Sequence, residues 1–384
     1  MSSSTGLSFS GDRKRLLAGF QKAARAVTGR STLPILSHIL VRGEDEYIEV
    51  TGNDMEMSIT TRVEADIHNP GVIAIPAGKA VEIFSALPDG AAVDVDLESE
   101  AKVQIKSKKA KFSLLSLSSD DYPAINIEDA DVKLGVTESV FYKLLKTATH
   151  ATSTDETRVV LTGVLVNLTD GELLATATDT HRLVLTKHPI ESELKFSAIL
   201  PMKFVGEALR LLSADSMHDV QVEVTKSSIT LYLPGYDKTV LSSRLIEGQF
   251  PNYQRVIPSS CAGHFDVNRT AFEEAVKRLN LIARDNASRI IIELTDGLLK
   301  QANLSAESGT SGSVVEDVDV EHDTPGFRTA ANGKYLMDAI QSIDAENIRI
   351  EFNEPFKPLV MRSLNNDGST NQNQLEILMP MQIV

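Results

Sequence analysis

IPAGKAVEIFSAL at Ile75–Leu87 and LPMKFVGEALRLL at Leu200–Leu212 lie 125 residues apart and read as one segment written twice. In each, a proline precedes an amphipathic run, and proline suits the first turn of a helix, where its missing N–H would go unpaired anyway. The same offset aligns Leu36 with Leu161, Val41 with Val166, Asp54 with Asp179 and Pro76 with Pro201. LPILSHILV at Leu33–Val41 is answered by VVLTGVLVN at Val159–Asn167. DDYPAI at Asp120–Ile125 is answered by GQFPNYQRVI at Gly248–Ile257, where the offset has drifted to 128 as a small insertion would cause.

A third, more diverged copy follows. IIIELTDGLL at Ile290–Leu299 echoes VLVNLTDGELL at Val164–Leu174, and NGKYLMDAI at Asn332–Ile340 repeats the helix around Lys203. A chain of 384 residues is long for one core when domains run to about 100–200 residues. The repeat divides it into three domains, 1–129, 130–258 and 259–384. The acidic stretch Ile127–Val132 and the polar, Pro- and Gly-containing Pro258–Gly263 mark the boundaries as linkers.

Each copy opens with an amphipathic helix, expected at 12–27, 139–149 and 270–284, and carries a second at 78–87, 202–212 and 332–342. Leu16, Phe20 and Val27, or Phe272, Val276 and Leu279, recur at helical spacing. Tyr47–Ile67 instead alternates apolar with polar residues, the pattern of strands with one wet face, and its GND breaks it into a hairpin. VDVDLE at Val93–Glu98 and VQVEVT at Val220–Thr225 read the same way. Two helices among about eight strands do not alternate as a doubly wound sheet requires. The fold class is α+β, with helices packed on antiparallel sheets.

Composition narrows the function. The start of the chain lacks the apolar run of a secretory signal, and no stretch approaches the roughly 18 apolar residues of a membrane span. The single cysteine, Cys261, allows no intrachain disulfide, so a cytoplasmic protein with no membrane association is expected. A net charge of −15 argues against nucleic acid, because phosphate neutralisation supplies most DNA affinity. The distribution reverses that argument. The six expected helices hold 14 basic and 6 acidic residues, and the rest of the chain 24 and 47. Basic residues near helix C-termini are favoured by the macrodipole and account for part of this; the rest fits either helix faces that are simply solvated, the commoner case, or a helix layer facing a polyanion with sheets facing solvent.

LPILSHIL (Leu33–Leu40), TATDTHRL (Thr176–Leu183), EGQFPNYQRVIP (Glu247–Pro258) and LMPMQIV (Leu378–Val384) occur in that order on a threefold repeat. The chain thereby resembles the bacterial DNA sliding clamps, the beta subunits of DNA polymerase III, over essentially its whole length. The resemblance implies a non-enzymatic processivity factor: three DNA-clamp domains per chain and a head-to-tail homodimer closed into a ring around duplex DNA. Geometry agrees with that number. Twelve helices of about 10 Å diameter close a circle with a hole of about 28 Å, whereas six leave under about 10 Å. Expected partners are duplex DNA without sequence preference, a second copy of the chain, the DNA polymerase III catalytic subunit, the clamp-loader complex, and other polymerases and repair proteins. No cofactor or metal is implied.

In the resembled family, partners insert a short, partly hydrophobic peptide between the second and third domains. The matching positions are Thr178, Thr180, His181, Arg182, Leu183, Pro251, Arg255, Val256, Met379, Pro380 and Met381. Leu183, Pro251, Val256 and the methionines would form an adaptable apolar floor, and His181, Arg182 and Arg255 a polar rim. Thr180 stands where the family often has glycine, and Gln382 where a basic residue is common. Arg30, Lys79, Lys203 and Arg210 match DNA-contact positions. Phe112 and Leu114, with Leu281 and Ile282, match the dimer contact.

Plainer explanations stand beside these. Asp179 and His181 could form a catalytic pair, but no nucleophile motif accompanies them and turn chemistry after a strand explains both. Met379 and Met381 alternate as core residues of a last strand would, and Phe112 and Leu114 could be ordinary core. VVEDVDVEHD at Val314–Asp323 lacks the spacing of a calcium loop and fits a solvated strand. With no GxxxxGK[ST] loop, the chain carries no means of loading itself by ATP hydrolysis. A monomeric repeat scaffold for proteins is the alternative to the ring.

Overall fold

The computed structural model describes residues 6–29, 32–99, 101–123, 129–235, 237–296 and 299–383. Arg30, Ala124 and Ile125 of DDYPAI, Ile127 of the first expected linker, Gly297 and Leu298 of the third copy, and Val384 lie outside these residues. The described helices are α1 (Arg13–Ala24), α2 (Ala77–Ala86), α3 (Glu138–Ala148), α4 (Met202–Leu211), α5 (Arg269–Ala283) and α6 (Gly333–Ser342). Each stands where the sequence pattern puts one. Asp12 caps α1 by accepting hydrogen bonds from the amides of Lys14 and Arg15, and Asn268 and Asn332 do the same for α5 and α6.

Two compact units make up the chain, Met1–Tyr142 with Lys203–Leu245, and Lys143–Met202 with Ile246–Val384. The first contains a five-stranded antiparallel sheet in the order 66–69, 8–12, 92–99, 102–107, 110–115. Beside it runs an eight-stranded sheet in the order 132–137, 219–224, 228–232, 240–244, 57–64, 47–53, 38–44, 71–76. Leu16, Gly19, Phe20 and Ala23 form the buried stripe of α1, and Phe20 meets Phe84 of α2 edge to face at 4.9 Å. The Tyr47–Ile67 run does break at GND, but only at its last residue: Gly52 and Asn53 still lie inside the strand Tyr47–Asn53. A Cβ on Gly52 would stand 1.9 Å from the Ala23 carbonyl oxygen, so the glycine serves close approach of strand to helix and the turn falls at Asp54–Glu56.

The second unit is built on one twelve-stranded antiparallel sheet, ordered 196–201, 163–169, 172–178, 182–189, 374–378, 359–364, 347–352, 263–268, 312–322, 301–308, 289–294, 328–332. Phe265, Phe272, Val276, Leu279, Leu336 and Ile340 contribute to the core between sheet and helices. Along Gly312–His322, Val318, Val320 and His322 are buried while Asp317, Asp319 and Glu321 are exposed, the solvated strand expected of that acidic alternation.

In both units the sheet continues from one repeat into the next. Ile59 pairs with Leu241 in the first unit, and Leu183 with Ile377 in the second.

Candidate functional site

The segment Thr178–Leu183 is a tight turn feeding a strand. Asp179 Oδ1 accepts hydrogen bonds from the amides of His181 (2.9 Å) and Arg182 (3.0 Å), and the Thr178 hydroxyl accepts from the Thr180 amide (3.1 Å). The first repeat builds the same turn: Asn53 Oδ1 accepts from the Met55 amide, and Asp54 Oδ1 from the amides of Glu56 and Met57. Short polar side chains that bond the backbone two or three residues on are what such turns need. Asp179 is therefore a turn former. Its second oxygen meets Arg182 Nε at 3.1 Å, and the His181 ring stacks 6.5 Å from Tyr335, so the two are not arranged as an acid–base pair.

Arg182 departs from the rim expected of it. Its side chain is 9% exposed, bonds Asp338 as well as Asp179, and lies 4.3 Å over the Tyr335 ring. A planar guanidinium with several donors suits a buried site of this kind. Burial, with Asp179 nearby, pushes the Tyr335 phenol above its ordinary pKa. His181 and Arg255 are exposed, as rim residues are.

Leu183 begins an apolar floor. It packs with Val360, Leu375 and Ile377, and Tyr253, Ile257 and Cys261 cover this cluster in part. Tyr253–Arg255 is a single 3-10 turn, which leaves Pro251 and Val256 exposed beside it. The last strand, expected to run through both methionines, ends at Leu378. Beyond it the chain is stitched down one bond at a time: the Met379 amide donates to the His181 carbonyl at 2.8 Å, and the Met381 amide to that of Ala330 at 2.7 Å. Pro380 between them has no N–H to continue a ladder. Three segments distant in sequence thus come together in one unit, with Val256 40% and Met379 37% exposed.

The sequence did not single out Tyr335, Asp338, Tyr253, Ile257 or Arg158. Tyr335 and Asp338 sit three apart on α6 and so share a face, a signal present in NGKYLMDAI; nothing in it said that this face meets the turn.

The three expected DNA contacts among the described residues are charged but not bare. Lys79 pairs with Glu82 at 2.7 Å, Lys203 with Asp54, and Arg210 with Glu207 at 2.5 Å, Glu207 also lying 3.9 Å from Arg25. Lys14, Lys143, Lys146, Lys277 and Lys334 are exposed on the helices and form no ion pair among the described residues. The charge count that singled out the helices holds, but it could not separate paired from unpaired cations.

Of the expected dimer residues, Phe112 and Leu114 lie on Ala110–Leu115, an edge strand of the five-stranded sheet. Both pack in part against the first unit's core, while Leu115 is 80% exposed. An unpaired edge with apolar side chains is a template for another chain. In the second unit Leu281 is 59% exposed at the end of α5, and Ile282 is half-buried.

A threefold repeat of two helices on antiparallel sheets, with cations concentrated on its helices, is the architecture of the DNA-clamp class. The signatures of the DNA polymerase III beta subunit match in chain order, the N-terminal domain over residues 7–126, the central domain over 135–252 and the C-terminal domain over 254–382. The beta sliding clamp of Escherichia coli K12 is 26% identical over 379 residues, covering 98% of this chain and 100% of that one. That of Bacillus subtilis strain 168 is 28% identical over 373 residues, 94% of this chain and 97% of its own. A crystal structure of the Bacillus subtilis polymerase sliding clamp superposes with a TM-score of 0.92 at 26% identity, covering 99% of this chain and 100% of that one. The Pseudomonas aeruginosa DnaN clamp bound to griselimycin does so with 0.91 at 26%, covering 98% and 100%. The chain belongs to the DNA polymerase III beta subunit family. Its role is that of a DNA sliding clamp in replication, a non-catalytic one. Among the described residues no helix is long and apolar enough to cross a membrane.

Proposed function

We propose that two copies of the chain close head to tail into a ring around duplex DNA and hold replication and repair proteins there by short peptides. The working domains are 1–129, 130–258 and 259–384. The partners are the DNA polymerase III catalytic subunit, the clamp-loader complex and other polymerases, and the place of action is the cytoplasm. The peptide site comprises Thr178, Thr180, His181, Leu183, Pro251, Arg255, Val256, Met379, Pro380 and Met381, with Arg182 supporting it from beneath. The observation that carries this reading is the convergence of three distant segments on the Leu183 cluster, with apolar side chains left open at Val256 and Met379. An adaptable methionine beside a firm aliphatic floor suits peptides of varied sequence.

The DNA contact is spread over helix cations and reads no bases. Lys14, Lys143, Lys146, Lys277 and Lys334 act with Lys79, Lys203, Arg210 and Arg30. The ring closes through Phe112 and Leu114 of one copy against Leu281 and Ile282 of the other, an interface of the heterologous kind that generates rings.

Deleting Met379–Val384 tests the peptide site. The truncated protein keeps its fold and dimer mass, while affinity for a peptide from the polymerase catalytic subunit falls at least about tenfold, or about 1.4 kcal/mol. Leu183→Ala acts in the same direction and less than additively, as two changes to one pocket do. A folded truncation that binds at full affinity refutes the site.

A further inference from the structure

Thr180 is held at φ 79°, in the left-handed region where a residue branched at Cβ is least at ease. The turn imposes this conformation. In the first repeat Met55, 125 residues earlier, has φ 75° in a turn bonded the same way. What the turn does not impose is a threonine. No other non-glycine residue at positive φ among the described residues is β-branched.

The hydroxyl supplies the difference between the two copies. Thr180 Oγ1 accepts a hydrogen bond from Arg158 Nη1 at 3.2 Å, the same nitrogen reaches the Asp179 carbonyl oxygen at a longer 3.5 Å, and Arg158 Nε donates to Asp155 Oδ2 at 2.8 Å. Arg158 interrupts its short 3-10 segment with φ −111° and ψ 61°, so it too stands where the local helix would not put it. The residue 125 positions before Arg158 is Leu33, which carries no cation. The Arg158–Thr180 pair therefore occurs in the copy whose turn walls the proposed peptide pocket, and the equivalent pair is missing from the copy whose turn does not.

We infer that Thr180 is a positioning residue for peptide recognition. Its strain is tolerated because the hydroxyl ties the turn Thr178–Arg182 to Arg158 and sets the pocket wall before a peptide arrives. Persistent strain of this type needs surroundings that over-determine it and gathers at binding sites, and a wall already ordered loses less freedom on binding. This inference rests on the pocket reading proposed above.

The test compares Thr180→Gly, Thr180→Ser, Thr180→Val and Arg158→Met for melting temperature and for affinity toward a labelled peptide from the polymerase catalytic subunit. Leu183→Ala serves as the control for the pocket. Thr180→Gly relieves the strain and loses the hydroxyl's bond to Arg158, leaving only the longer one to the Asp179 carbonyl, so it melts higher than the wild type yet binds at least about threefold more weakly. Thr180→Ser keeps the hydroxyl and binds within about twofold of the wild type. Thr180→Val keeps the branch and loses the bond: it gains no stability and binds as weakly as Thr180→Gly. Arg158→Met weakens binding alike, and adding Thr180→Gly to it changes affinity no further. A Thr180→Gly protein that binds as tightly as the wild type, or melts lower, overturns the inference. If Leu183→Ala also binds normally, the pocket itself has been misplaced; if Leu183→Ala binds poorly while Thr180→Gly does not, the pocket stands and only the role of Thr180 falls.

Discussion

Replacing Arg182 with methionine keeps most of the aliphatic stem and deletes the guanidinium, which separates a rim residue from a buried support. The deletion leaves Asp179 and Asp338 facing each other across the vacated site. Asp179 is 12% exposed and Asp338 28%, so one carboxylate is nearly cut off from water and the other keeps some of its hydration. Breaking a buried pair costs about 3–5 kcal/mol. The partial exposure of Asp338, together with the amide bonds that Asp179 retains from His181 and Arg182, argues for the lower end, about 3 kcal/mol. With about 2–4 °C lost per kcal/mol in a unit of this size, the calorimetric transition of the second unit moves down by about 6–12 °C. Asp338→Asn should recover part of this loss when combined with Arg182→Met, because it removes an uncompensated charge. A transition that stays within about 2 °C of the wild type, with peptide affinity reduced instead, would show that Arg182 lies on the rim after all.

Three further outcomes follow from the same geometry. Leu281→Ala with Ile282→Ala leaves each chain folded, since Leu281 is largely exposed, but yields monomers in sedimentation because burial of leucine-type side chains in an interface is worth about 2–5 kcal/mol each; a variant fully dimeric at nanomolar concentration contradicts the proposed contact. Glu207→Gln frees Arg210 and Arg25 from their carboxylate, so DNA affinity rises and the salt dependence steepens by up to about 0.9 per cation released, whereas Arg210→Ala shifts both the other way on every sequence. A base preference in either protein is incompatible with sliding. Hydrogen bonds from the Thr157 hydroxyl and amide, and then from the Arg158 guanidinium, hold the Asp155 carboxyl below its ordinary pKa. The depressed value means that the Asp155–Arg158–Thr180 tie is complete above the ordinary carboxylate range of about 4 and is lost only as pH falls through the lowered value. Peptide affinity is therefore flat from neutral pH to about 5 as far as this tie is concerned; a loss that begins near neutrality and disappears in Asp155→Asn contradicts it.

The helices were legible because their stripes repeat at a fixed offset. The spacing put them at 12–27 and 270–284, and they run Arg13–Ala24 and Arg269–Ala283. Periodicity records which face is buried, and that is enough to place a helix. It does not record what lies on the other side. Nothing in TATDTHRL says that Arg182 turns inward, because burial of a guanidinium depends on Asp338 and Tyr335, 156 and 153 residues away in sequence. The alternation of Met379 and Met381 suggested a strand, and Pro380 between them was the signal that a ladder could not continue. Pairing of Lys203 with Asp54 likewise depends on a contact between repeats that no charge count contains. The residues proposed to bind are named by resemblance alone, whereas the bonds that hold them in place appear only in the folded structure.

In the proposed ring the hold on DNA is topological: the protein stays on by surrounding the duplex. The direct measurement is retention of the protein, once loaded, on nicked circular DNA at high salt, followed by linearisation of the same DNA. A ring stays on the circle and slides off the ends within the time of the cut, since phosphate contacts alone weaken steeply with salt. Equal retention before and after linearisation, or equal loss from both, would mean that the chain holds DNA by its surface and encircles nothing.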